Sequence, residues 1–148
     1  MSGQPRNLLK QRGISMLEVL VSLVVLSIGA LGAAGMQVSS LKDSGSAASR
    51  FRAVSLAQGM IDAMRADRTL SVAGGVEYET VLAAGSCTGT DTVTVLRWLN
   101  QVACDLPDGK GRVVVNPLTK RAIVTVQWND ARGRDGDASQ LFSLETRL

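Results

Sequence analysis

From Val19 to Gln37 the chain carries no charged side chain, and after Glu18 no charge appears until Lys42. About 20 consecutive apolar residues suffice for a helix to cross a bilayer. Three kinds of segment have this composition. A secretory signal peptide has a basic start, an apolar stretch and small residues such as Ala33-Ala34-Gly35 for cleavage. A plain membrane anchor keeps its apolar stretch uncut. The third kind is cut before the apolar stretch rather than after it. Glu18 separates them. A carboxylate at mid-membrane costs about 2.5–3.5 kcal/mol, and less near the interface, and neither a signal peptide nor a simple anchor gains anything from it.

The residues around it read Gln11-Arg12-Gly13-Ile14-Ser15-Met16-Leu17-Glu18-Val19-Leu20-Val21-Ser22-Leu23. This string resembles the type IV prepilin signature: a basic leader ending in Gly, then an apolar stretch with Glu as its fifth residue. The family usually has Phe or Met directly after the cut, where this chain has Ile14. The resemblance implies that a membrane-embedded prepilin peptidase cuts between Gly13 and Ile14 and N-methylates Ile14. Gly13, lacking a Cβ, suits close backbone approach by a peptidase. Arg6, Lys10 and Arg12 would hold the leader in the cytoplasm by the positive-inside rule, which places the chain beyond Gln37 in the periplasm. The expected location is a single pass through the inner membrane, with lipid around the first half of the helix. Glu18 is then expected to meet the new α-amino group of Ile14 on an adjacent subunit. Pairing removes a desolvation penalty inside an apolar bundle, so the carboxylate acts as a register signal.

A closer resemblance lies further along. Val25-Leu26-Ser27-Ile28-Gly29-Ala30-Leu31-Gly32-Ala33-Ala34-Gly35-Met36-Gln37 and Ala57-Gln58-Gly59-Met60-Ile61-Asp62-Ala63-Met64-Arg65-Ala66-Asp67 are similar to the PilV-type minor pilins, the type IV pilus modification family. So are Trp98 ahead of a Leu-Pro-x-Gly turn and the string Val124-Thr125-Val126-Gln127-Trp128-Asn129-Asp130. Many major pilins bend the stalk with a Pro, yet no Pro occurs here between Pro5 and Pro107. Gly29, Gly32 and Gly35 are read chiefly as loose packing against neighbouring helices, with local helix softening as the alternative.

Past the membrane the helical signal continues. Ala47, Phe51, Val54, Ala57, Ile61 and Met64 form one apolar stripe, expected to pack a head domain. A single helix from Ile14 to about Arg68 would be roughly 80 Å long. Residues 72–89 read as a loop with a short element near Tyr78–Leu82. Asp91 or Thr92 is expected to cap a helix running to about Ala103, with Val95, Leu96, Leu99 and Val102 on its apolar face and Trp98 in packing. Leu106-Pro107-Asp108-Gly109-Lys110-Gly111 is a turn by composition. Three strands follow, Arg112–Asn116, Arg121–Asn129 and Gln140–Arg147, the first pair joined as a hairpin through Asn116-Pro117-Leu118-Thr119-Lys120. Ala122, Val124, Val126 and Trp128 alternate inward. The organisation is therefore a leader (1–13), a membrane-spanning half of the stalk helix (14–36), its periplasmic half (37–68), and a head of loop, helix and three-stranded sheet (69–148). The fold class is α+β and pilin-like.

Composition removes several functions. Sixteen Lys and Arg face thirteen Asp and Glu, but three of the bases lie in the first thirteen residues, so 16 − 3 = 13 balances the acids. With aromatics at 3%, a nucleic-acid groove is not expected. There is no histidine, which excludes Ser-His-Asp and Cys-His catalysis and His-based zinc sites. Catalytic residues, a metal, a cofactor and a small-molecule substrate are all not expected. Asp130, Asp135 and Asp137 share a loop with Arg132 and Arg134 and no EF-hand pattern, so they read as a solvated loop before a calcium site. Cys87 and Cys104 fit no metal spacing. In the periplasm they are expected to form one disulfide, worth about 3 kcal/mol in the chain-entropy model, with two buried free thiols as the alternative.

The expected function is that of a minor type IV pilin helping to start or assemble a pilus, alongside other minor pilins and the major pilin. A minor pseudopilin of a type II secretion machine shares leader, stalk and sheet. A membrane-anchored periplasmic binding protein would need an exposed basic or aromatic patch that the sequence does not show.

Overall fold

The computed structural model describes residues 15–67, 80–133 and 135–148. The chain divides into two compact units, Met1–Val38 and Ser39–Leu148, and each is described by itself. Helix α1, Met16–Ala66, contributes to both. The expected ends of that helix, Ile14 and Arg68, lie outside the described residues.

In the first unit every described residue of α1 is exposed. No proline interrupts it, and the helix runs through Gly29, Gly32 and Gly35 without a break. Two hydroxyls on this apolar surface are satisfied within the helix. Ser22 Oγ donates to the Glu18 carbonyl at 2.7 Å, and Ser27 Oγ to the Leu23 carbonyl at 2.7 Å. Such back-bonding to position i−4 removes a polar group that hydrocarbon would leave unpaired. Among the described residues, α1 is the one helix long and apolar enough to cross a membrane.

The second unit is an α+β head of pilin-like architecture, with α1 packed on an antiparallel sheet. Its strands are β1 (Thr80–Ala84), β2 (Lys110–Asn116), β3 (Arg121–Trp128) and β4 (Gln140–Arg147), in the order β1-β2-β3-β4 with every neighbour antiparallel. The sheet thus has four strands where the sequence predicts three. β1 overlaps the short element expected near Tyr78–Leu82 within the loop, and runs on to Ala84: Thr80-Val81-Leu82-Ala83-Ala84 is short, lacks clean alternation, and pairs with β2 across an irregularity between Thr80 and Ala83. The part of the predicted short element before Thr80 lies outside the described residues.

A second correction concerns the stripe on α1. Phe51 is 76% exposed and Ala47 is exposed, whereas Ala53, Ala57, Met60, Ile61 and Met64 are buried. At about 100° per residue, Phe51 lies about 120° round the helix from Ala57. Spacings of three accumulate that drift, whereas 53, 57, 60, 61 and 64 hold one face. Opposite this face, Val113 and Val115 of β2 and Ala122, Val124, Val126 and Trp128 of β3 turn inward, each at most 6% exposed. The alternation of β3 follows the sequence reading.

Helix α2, Thr94–Asp105, closes the core with Val95, Trp98, Leu99 and Val102. Leu96, expected on that face, is 41% exposed. Nor does Asp91 or Thr92 cap the helix. Val93 is the N-cap, an apolar side chain that makes no capping bond, while the Asp91 carboxylate accepts from Asn100 Nδ2. Trp98 Nε1 donates to the Leu56 carbonyl at 2.9 Å, tying α2 to α1. Trp128 Nε1 is buried with no hydrogen-bond partner among the described residues, and nothing in the structure explains it.

The predicted turn ends sooner than expected, since Lys110 and Gly111 already belong to β2. Gly111 is there for space: a Cβ would run into the ring of Trp98 and the side chain of Leu99. In the β2–β3 hairpin, Asn116 Oδ1 accepts the N–H groups of Leu118 (3.0 Å) and Thr119 (3.1 Å), an Asx-type turn. Lys120 then takes a positive φ of 54°.

Candidate functional site

Gly13 and Ile14, the expected cleavage and methylation positions, lie outside the described residues. Glu18 is described, exposed in the first turn of α1. The Ser15 carbonyl accepts the N–H of Glu18 at 3.0 Å and of Val19 at 3.3 Å, which makes Ser15 the N-cap. Ser15-Met16-Leu17-Glu18 therefore has the Ser-x-x-Glu spacing of a capping box, in which the glutamate stands third inside the helix. Its negative charge is also favourable at the positive end of the helix dipole, by about 0.3–1 kcal/mol. This second reason for Glu18 is legible in the Ser-x-x-Glu spacing of residues 15–18. Glu18 borders a shallow groove of about 310 Å³ with Val19, Ser22, Leu23 and Leu26. Ser22 apart, the residues beside Glu18 there are apolar.

The aspartates considered for calcium do not act as a group. Asp130 is 5% exposed, its Oδ2 accepts Ser46 Oγ of α1 at 2.5 Å, and its backbone N–H donates to the Asp137 carbonyl at 2.9 Å. Its carbonyl accepts Gly133 N–H at 2.8 Å. Asp130 thus clasps its loop to the helix. Among the described residues no cluster of three or more His, Cys, Asp or Glu could hold a metal; Arg134 of this loop is not described. Nothing in the sequence pattern flagged the pairing of Ser46 with Asp130, which are 84 positions apart.

Cys87 and Cys104 are joined by a disulfide, with Cα atoms 4.7 Å apart and both residues exposed. It fastens the segment after β1 to the end of α2, ahead of the remaining strands.

Comparison with known proteins gives one family match. Residues 8–34 match the model of the prokaryotic N-terminal methylation motif. That is the motif of type IV pilin-like prepilins and pseudopilins, substrates of prepilin peptidase that assemble with other such subunits and serve as structural rather than enzymatic parts. The match spans Gly13, Ile14 and Glu18, and it runs into the uncharged part of α1, whose length and apolarity are compatible with a single-pass membrane anchor. No curated protein and no solved structure matches the chain.

Proposed function

We propose that this chain is a minor type IV pilin, cut between Gly13 and Ile14, N-methylated on Ile14, and helping to initiate or assemble the pilus. The observation that carries the reading is the match of the methylation motif across a Gly–Ile junction with Glu18 five residues past Gly13. The uncharged stretch of α1 that follows supports it, as does the four-stranded head on the second half of that helix. The minor rank rests on the likeness of residues 25–37 and 57–67 to the PilV-type subgroup. It rests also on a stalk without proline and on cysteines placed before β2 rather than around the C-terminal segment.

In this reading the leader stays in the cytoplasm, residues 14–36 lie in the inner membrane and the head stands in the periplasm. The intact leader blocks assembly, since a peptide bond at Ile14 offers no ammonium for a neighbour's Glu18. Once cut, the subunit joins other minor pilins and the major pilin, with its helix leaving lipid for the company of their helices.

Mass spectrometry of membrane-purified protein tests the processing step. A chain beginning at methylated Ile14 is expected, and an amino terminus near Gly35 would mark an ordinary signal peptide instead. Deletion tests the role. Few surface pili and poor twitching are expected, with normal accumulation of the major pilin in the inner membrane. Normal pili with failed export of secreted enzymes would move the chain to a type II secretion machine.

A further inference from the structure

Cys104 stands one turn after Asn100 on α2, so the two side chains project from the same face of that helix. The segment holding Cys87 lies across that face. Asn100 is only 8% exposed, and both ends of its amide are in use. Its Oδ1 accepts the Ser86 backbone N–H at 2.7 Å, and its Nδ2 donates to Asp91 Oδ2 at 2.9 Å. These two partners flank Cys87 in the chain. Between them Gly89 N–H donates to the Ser86 carbonyl at 2.9 Å, closing a turn around Cys87 and Thr88. The approach is close on both sides: a Cβ at Gly85 would meet the backbone of Leu99 and Asn100, and one at Gly89 would meet the Asn100 amide. The cysteines themselves are exposed and outside the hydrophobic core.

We propose that Asn100 is the positioning residue for formation of the Cys87–Cys104 disulfide: it docks the Cys87 turn on α2 whether or not the bond to Cys104 is present. Oxidation then proceeds on a surface already folded. One cysteine thiolate attacks a disulfide oxidant, expelling one thiolate and leaving a mixed disulfide; the second cysteine attacks the protein sulfur of that bond and expels the other. Two electrons pass to the oxidant and two protons to water. The second attack is intramolecular, so it gains directly from the time the two thiols spend side by side. A buried amide that spans both flanks of Cys87 supplies that proximity through hydrogen bonds independent of sulfur chemistry.

The test uses the full chain in detergent micelles, equilibrated with oxidised and reduced glutathione and trapped by alkylation. Losing two net hydrogen bonds is worth on the order of tenfold to thirtyfold in the ratio of docked to undocked loop. Asn100→Ala should therefore leave much of the reduced loop undocked, and lower the equilibrium constant for disulfide formation severalfold. Asn100→Asp keeps an acceptor for Ser86 but sets a carboxylate against Asp91, and should lower it similarly. Combining Asn100→Asp with Asp91→Asn reverses donor and acceptor and should recover most of the loss, which a general loss of stability would not. Constants within twofold of the unaltered protein for both single variants would overturn the proposal. A second measurement needs no variant. In the reduced, unaltered protein the Ser86 amide should stay protected from hydrogen exchange. Exchange there at the free-chain rate, with β3 amides still protected, would show that the disulfide itself holds the loop.

Discussion

Replacing Phe51 and Met60 by alanine in turn measures which face of α1 carries the head. Met60 is 1% exposed within the core, and Met→Ala at such a site costs about 2–5 kcal/mol, from lost burial plus the cavity left behind. Phe51 is 76% exposed, so only about a quarter of its surface is covered. Full burial of a phenylalanine contributes about 1.5–3 kcal/mol, which leaves about 0.4–0.7 kcal/mol to lose. Alanine returns about 0.5 kcal/mol in helix propensity, and the net change should be close to zero. At about 4–8 °C per kcal/mol for a small domain, Met60→Ala should lower the melting midpoint by about 10 °C or more, while Phe51→Ala leaves it within a few degrees. Near-UV circular dichroism of Trp98 and Trp128, followed on the full chain in detergent, reads the head directly. A Phe51→Ala loss equal to that of Met60→Ala would show that the stripe through 47, 51 and 54 faces the core, contrary to the structure.

Three further substitutions probe other contacts. Gly111→Ala forces a methyl group against a Trp98 ring pinned by its bond to Leu56, and should cost about 1–3 kcal/mol by denaturant unfolding; a neutral result would mean that α2 shifts freely. Ser46→Ala leaves the buried Asp130 carboxylate without the hydroxyl that it accepts, so a loss of about 1–3 kcal/mol is expected, with a double-mutant cycle against Asp130→Ala clearly non-additive. Additive losses would deny the clasp. Glu18→Gln keeps the side chain that a capping box accepts but removes the charge, and is expected to block recovery in sheared filaments as fully as Glu18→Ala, with membrane insertion intact. Filaments with Gln but not with Ala would mean that capping, not charge, is what assembly needs.

Much of the head was legible because one periodicity dominated each element. In β3 the strict alternation of Ala122, Val124, Val126 and Trp128 leaves only one face to bury, and the structure buries it. On α1 the sequence offered two overlapping stripes, since Ala53 and Met60 sit beside Val54, Ala57 and Ile61. The stripe through Phe51 rests on successive spacings of three, which drift from the 100° step, and small Ala53 is the better guide because a tight helix–sheet contact favours small side chains. β1 was legible only in part, for another reason. A five-residue edge strand of Thr, Val, Leu and Ala, next to Gly and Ser, owes its pairing to β2 more than to its own pattern.

The candidate site was legible to the extent that its residues violate their surroundings. Glu18 stood out because a carboxylate in an apolar run costs free energy, and the structure adds a local return on that cost at the first turn of α1. The two accounts differ in when they act. The interaction of the charge with the helix dipole operates in a single chain, before and after processing, and contributes at most about 1 kcal/mol at a helix end. The proposed charge pair with a neighbour would operate only after the cut and only as the helix joins others, where an unpaired buried charge would cost several times more. The dipole therefore favours an acid at this position, but glutamine also fits the Ser-x-x-Glu/Gln spacing and would avoid the cost of a charge in lipid. Under the proposed function, the full negative charge ahead of the uncharged stretch 19–41 is assigned to the pairing, so that charge rather than side-chain shape is what Glu18→Gln tests.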